Sequence, residues 1–188
     1  MNIEVEIKLK IENWQEIRKK VSSLGKLVRS IKQIDEYYIP IHRDFFAQKP
    51  KTIEWMRVRK EPERTVFGYY RAIDHEGDKD GWIDEEYETE ISNPEDFKKI
   101  LGFLDFKKVI TINKEREYWD CGDIEISLDK IKELGNFIEV EAKKNFKNND
   151  EARQACRDFF GKLGIKDIKK LQTTKGYANM MLDKKLSA

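Results

Sequence analysis

Cysteine and histidine are scarce in this chain, with two of each among 188 residues. Cys121 and Cys156 have no metal-ligand spacing and make no disulfide framework. His42 and His75 lie far apart, which argues against a zinc site built from these residue types. No apolar run approaches the ~20 residues that a membrane-spanning helix requires. There is no internal repeat and no low-complexity linker. No basic-then-apolar leader is read at the start, so a soluble, cytoplasmic protein is the expectation. Nor does either sign of charge dominate: 37 basic residues against 36 acidic ones leave a formal net charge of +1. A simple nucleic-acid binder normally carries a basic excess, so neither a specific nucleic acid nor a membrane is expected as a partner.

What is abundant is charge of both signs. Asp, Glu, Lys and Arg make up 39% of the sequence, against about a quarter in ordinary globular proteins. Disorder does not follow, because aromatics at 11% and many β-branched residues are available for packing. The length suits one domain over residues 1–188 with a real core.

The charges are ordered. In Ile3-Glu4-Val5-Glu6-Ile7-Lys8-Leu9 they alternate strictly with apolar side chains. A period of two puts Glu4, Glu6 and Lys8 on one face of a strand and the apolar residues on the other. The pattern returns at Arg57-x-Arg59, Glu86-x-Glu88-x-Glu90, Lys114-x-Arg116, Glu125-x-Ser127-x-Asp129 and Glu139-x-Glu141. Any one of these is usually a solvated strand face. Repeated through a sheet, they make a surface that can bind a metal and a polyanion together.

A first strand at about residues 2–11 leads to Asn13, a candidate helix cap, and a helix with Trp14, Ile17, Val21 and Leu24 on one stripe that stops at Gly25. An extended stretch from Lys26 to Tyr38 is broken by Pro40, and Arg43 to Lys51 reads as a loop. Thr52–Lys60 and Thr65–Ile73 form a hairpin, and Asp74–Gly81 is a polar loop before the strand Trp82–Ile91. A helix starts at Asn93-Pro94 and ends near Gly102. Strands follow at Phe106–Asp120, Ile124–Ile131 and Phe137–Lys143. The last third is helical, with Asn149 as a candidate cap and a final helix from about Thr174. The expectation is an α+β fold, an eight-stranded antiparallel barrel turned inside out: helices cover an apolar exterior and charges line the interior.

This ordered series resembles the CYTH superfamily, the triphosphate tunnel enzymes named for class IV adenylyl cyclases and thiamine triphosphatase. Glu4-x-Glu6-x-Lys8 matches its N-terminal strand, Asp35-Glu36-Tyr37-Tyr38 its Asp-x-Tyr segment, and Met56-Arg57-Val58-Arg59 its paired arginines. Lys114-Glu115-Arg116 is similar to its Lys-x-Arg strand. Ile124–Asp129 followed by Leu134–Glu141 resembles its C-terminal half, and Tyr177 resembles the tyrosine in the last helix of cyclase-like members. Three places depart from the pattern: Asp84 where a basic residue is common, Ile39-Pro40 where an acid often follows, and Arg71 in place of a lysine.

The resemblance implies a charged tunnel that takes a triphosphate-containing small molecule with Mg²⁺, or alternatively Mn²⁺. Glu4, Glu6, Glu139 and Glu141 would form a four-carboxylate metal cradle, with Glu88, and more loosely Glu86, at a second metal. Arg57, Arg59, Arg71, Lys114 and Arg116 would hold phosphate oxygens. Lys8 would act beside the catalytic acids Glu4 and Glu6, by contacting the triphosphate or by positioning or deprotonating a nucleophile. Tyr177 would either close the tunnel or simply pack the last helix. Glu125 and Asp129 read as structural ion-pair partners, and the tunnel tyrosines and the tryptophans as packing residues.

Three functions fit. The first is a class IV adenylyl cyclase-like lyase, turning ATP into cyclic AMP and pyrophosphate. The second is a triphosphatase acting on inorganic triphosphate, thiamine triphosphate or a nucleotide. The third is a polyphosphate- or nucleotide-binding module without turnover. A homodimer formed through an outer strand face is compatible with all three.

Overall fold

The computed structural model describes residues 3–45, 54–72, 82–143, 146–173 and 175–186, with only the backbone of Ile3, Glu4, Trp82, Ile83, Asp84 and Leu186. The expected polar loop Asp74–Gly81 and most of the expected loop Arg43 to Lys51 lie outside these residues. The strands are β1 (Ile3–Ile11), β2 (Lys26–Pro40), β3 (Glu54–Lys60), β4 (Thr65–Ala72), β5 (Trp82–Glu90), β6 (Phe106–Asp120), β7 (Ile124–Ile131) and β8 (Gly135–Ala142). The helices are α1 (Trp14–Leu24), α2 (Pro94–Phe103), α3 (Asn149–Lys162), the short α4 (Ile168–Leu171) and α5 (Tyr177–Leu186).

All ladders are antiparallel, and the neighbour order is β1-β5-β4-β3-β2-β6-β7-β8. β1 pairs with β5 at Ile3–Glu6 and with β8 over Val5–Ile11, so the ladder returns to its first strand. The alternation of charged and apolar residues explains why two faces differ. Ile7, Leu9, Ile126, Leu128, Ile138 and Val140 are buried on the outer face beneath Ile17 and Val21 of α1 and Cys156, Phe159 and Phe160 of α3. Leu101 and Phe97 of α2 cover Tyr38, Val58 and Phe67. A third cluster, with Tyr37, Trp55, Ile112 and Phe137 against Tyr177, Ala178 and Met181 of α5, fills one end of the sheet's interior. Among the described residues no helix is long and apolar enough to cross a membrane.

Two helix starts differ from expectation. The cap of α3 is Asn148, whose side chain accepts from the Glu151 backbone N–H at 2.9 Å, because Asn149 already belongs to the helix. Asn13 occupies the cap position of α1 as expected, although its side chain makes no cap bond. At the C-terminus the last helix, expected from about Thr174, is α5 and begins at Tyr177; α4 and Gln172, which bridges to Leu9 of β1, precede it.

Candidate active site

The register assigns one set of side chains to the interior. Glu6 lies opposite Glu141, which lies opposite Glu125. Lys8 faces Glu139, then Ser127, Tyr118 and Arg29 across successive ladders. These charged rows and those of β3 and β6 surround a cavity of about 280 Å³. Of the residues expected at a site, Glu6, Lys8, Arg57, Arg59, Glu86, Glu88, Lys114, Arg116, Glu139, Glu141 and Tyr177 line it. Glu4 sits in β1 opposite Asp84, and its side chain lies outside the described residues.

The cations are held by carboxylates in an ordered network. Arg59 donates from Nε and Nη2 to the two oxygens of Asp35, at 2.8 and 3.0 Å, and Asp35 also faces Lys114 at 3.5 Å. Arg116 grips Asp129 with both arms of its fork and reaches Glu139 as well. Lys8 lies 3.0 Å from Glu139 and 3.2 Å from Glu6. Arg57 contacts Glu88 at 3.1 Å and also the Tyr70 hydroxyl, which donates to Glu88. The Tyr70 phenol lies across Gly68, where a Cβ would stand 2.2 Å from its oxygen. Tyr177 donates to Asp129 at 2.9 Å, and its ring lies 4.4 Å from Lys8 Nζ and 5.5 Å from Lys114 Nζ. Tyr177 therefore stands at the bottom of the cavity among its lysines.

Electrostatics divide these groups. Burial alone would raise the carboxyls of Asp35 and Glu139, but the surrounding guanidinium and ammonium groups outweigh it and hold both well below the usual carboxylate range. Burial would likewise lower Lys8, yet Glu139 and Glu6 hold it firmly protonated. Lys114 is the exception. Burial, then the neighbouring Arg116 and Arg59, push it down to about 7 despite Asp35 and Asp129. Below that pH it is a cation; above it the apo site holds it neutral. A bound polyanion would restore the proton, so affinity for inorganic triphosphate is expected to fall as pH rises through 7, with proton uptake on binding above it. Calorimetry in buffers of different ionisation enthalpy reads that uptake directly. Lys114→Met should flatten the profile.

The chain matches the CYTH domain over residues 2–174. It belongs to the CYTH family. A Methanocaldococcus jannaschii protein named a putative adenylate cyclase is 36% identical over 140 residues, covering 74% of this chain and 76% of that protein. A Pyrococcus horikoshii protein of known structure superposes with a TM-score of 0.78 at 27% identity, over 96% of this chain and 99% of that one. The fold is also shared with a putative adenylyl cyclase from Hippeastrum, described as having a dominant triphosphatase activity, at TM-score 0.63 and 15% identity over 88% and 89% of the two chains.

Within this CYTH tunnel one expectation needs correction. Arg71 points away from it. Val66 and Tyr70 of β4 face the cavity, so Arg71 projects from the outer face, where it is exposed and bonds Glu85 at 2.7 Å. It cannot read a phosphate inside. Of the expected four-carboxylate cradle, the Glu4 side chain lies outside the described residues, and among the described residues no three carboxylate, histidine or cysteine groups converge to hold a metal. Glu139 faces inward but is committed to Lys8 and Arg116. Glu88 faces Arg57 and Tyr70.

The neighbouring pair Glu6 and Glu141 still fits a hard divalent cation, since Mg²⁺ is commonly held by one or two carboxylates, with water and substrate phosphates completing its shell. Several residues of the network were not singled out for substrate binding from sequence: Asp35, the clamp on Arg59 and Lys114, and Arg29, Glu61 and Arg64 at the opposite end from Tyr177. Asp35 carried a signal, lying in the Asp-Glu-Tyr-Tyr segment; the other three carried none.

Proposed function

We propose that this CYTH protein is a divalent-metal-dependent enzyme that binds a triphosphate in the tunnel and cleaves one of its phosphoanhydride bonds. The observation that carries this reading is the convergence of five cations, Lys8, Arg57, Arg59, Lys114 and Arg116, on one cavity beside the carboxylate pair Glu6 and Glu141. A site for anions alone has no use for that acidic pair. The arginines offer forked contacts to phosphate oxygens, and their bonds to Asp35, Asp129 and Glu88 keep the forks aimed before substrate enters. Phosphoryl transfer depends mainly on such positioning and on stabilising charge. Glu6 and Glu141 would hold Mg²⁺ or Mn²⁺, which would neutralise phosphate charge and polarise the bond that breaks. Lys8, held between Glu6 and Glu139, would serve as a positive contact to the phosphates.

Which bond is cleaved depends on which phosphorus meets the nucleophile. Cyclisation of ATP, with the ribose 3′-hydroxyl attacking the α-phosphorus and pyrophosphate leaving, is the first reading, supported by the name of the Methanocaldococcus jannaschii relative. Hydrolysis, with water attacking the terminal phosphorus, is the second, supported by the activity described for the Hippeastrum protein. Phosphorus NMR of products from ATP and from inorganic triphosphate, with Mg²⁺, Mn²⁺ or EDTA, separates them. Cyclic AMP with pyrophosphate establishes the lyase. Orthophosphate without cyclic AMP establishes the hydrolase. Undiminished turnover in EDTA, or none with either metal, refutes the proposal.

A further inference from the structure

The cavity end remote from Tyr177 carries a cluster that the phosphate-binding set does not use. Glu61 sits in the turn between β3 and β4, yet only 7% of it is exposed. Its carboxylate accepts from Gln33 Nε2 at 2.7 Å and Arg64 Nε at 3.0 Å, and it lies 3.5 Å from Arg29 Nη1. The carboxyl is held below its ordinary range; burial opposes this, and the bonds from Arg64 and Gln33 and the charges of Arg29 and Arg64 overcome it. Arg29, Glu61 and Arg64 all line the cavity.

Arg29 reaches it through a break in the strand. The register of β2 on β6 shifts between Leu27 and Arg29, leaving Val28 as an extra residue. Leu27 is opposite Trp119, which is buried in the outer core, whereas Arg29 is opposite Tyr118, which lines the cavity. A strand without this bulge could not place Leu27 outside and Arg29 inside, two residues apart. The guanidinium carbon of Arg29 then rests 4.1 Å over the Tyr118 ring centroid, and on the cavity side Arg116 lies 5.5 Å from the same ring. Tyr118 is itself fixed by Gln33 at 3.1 Å. One flat face of Arg29 is thus covered, and its edge is directed to Glu61.

We infer that Arg29, mounted on Tyr118 and steadied by Glu61, is a stacking platform at the tunnel mouth for a planar nitrogenous ring, so that the substrate is an organic triphosphate of the nucleotide kind and not bare triphosphate. The inference rests on the triphosphate reading above and adds what lies beyond the phosphates. A chain of phosphates among Lys8, Lys114 and Arg116 points its substituent toward the mouth, because Tyr177 and α5 fill the other end. Guanidinium planes stack on nucleobases in the same way that aromatic rings do.

The test measures binding without turnover, using analogues of ATP and of inorganic triphosphate with methylene groups in place of both bridging anhydride oxygens, in Mg²⁺ buffer. Arg29→Ala is expected to weaken the ATP analogue about tenfold and the inorganic analogue less than about twofold. Arg29→Lys, which keeps the charge but not the plane, should lose nearly as much for the ATP analogue. Glu61 retains Arg64 and Gln33 in both variants, so the mouth keeps its fold; near-ultraviolet circular dichroism checks this. Equal losses for both ligands, full rescue by lysine, or no loss at all would overturn the platform. Wild-type protein that binds only the inorganic analogue overturns it while leaving the triphosphate reading standing. Wild-type protein that binds neither removes both.

Discussion

Glu141→Gln is expected to reduce metal-dependent turnover by at least about a hundredfold, because a bound cation supplies several kcal/mol of charge stabilisation in phosphoryl chemistry. Glutamine keeps the shape and one oxygen but gives up the charge that would hold the cation. The side chain is partly exposed and paired with Lys143 at 2.7 Å, so the fold should survive and the melting temperature should change little. Glu6→Gln, its neighbour across the β1–β8 ladder, should behave in the same way. Steady-state rates across a Mg²⁺ titration read the effect. A variant with wild-type rate and wild-type metal dependence would mean that the cation, and with it the role of this pair, belongs elsewhere.

The second large effect concerns stability. Arg116→Ala is expected to cost about 3–5 kcal/mol at neutral pH, since it strips a buried partner from two carboxylates. Asp129 is fully buried and would keep the Tyr177 hydroxyl and the charge of Lys114, while Glu139 would keep Lys8. The pH dependence carries a sign. Glu139 is held below its unfolded value of about 4.3, so its contribution is present above that pH and is lost as pH falls through the folded value. Acid therefore relieves the variant of a charge it cannot neutralise, and its deficit against wild type should shrink toward pH 3 to 4. Urea denaturation at several pH values measures this. A deficit that stays constant with pH would assign the loss to packing.

The strands that carried their own charge were legible in the sequence. In β1 and β8 acids and bases alternate with apolar residues, so the inward face could be read from either set. β6 instead carries bases on one face, Lys114 and Arg116, and acids on the other, Glu115 and Glu117. β4 shows where such reading stops. Its inward residues, Val66, Gly68 and Tyr70, carry no charge, and its single charged residue, Arg71, faces outward. Only the pairing of Arg57 with Gly68 reveals which face is which.

The pairing of Glu139 with Arg116 was hidden for a different reason. Alternation reports the face of a residue but not its neighbours, and strand stagger brought Arg116 of β6 to Glu139 of β8, across β7. Arg29 was hidden by a bulge, which no periodic pattern anticipates. Glu61 was hidden in a turn, where an acid is normally solvated.

The position of Tyr177 has a consequence for traffic. With α5 packed into one end, the charged passage would work as a cul-de-sac on the reading proposed above, and whatever leaves it would go out by the way it came in. A ligand could not be threaded through and released behind. Spent phosphates would have to back out past the incoming molecule, so each turnover would wait for the last to clear the entrance. A long polyphosphate could be met only at its tip, and processed from there inward.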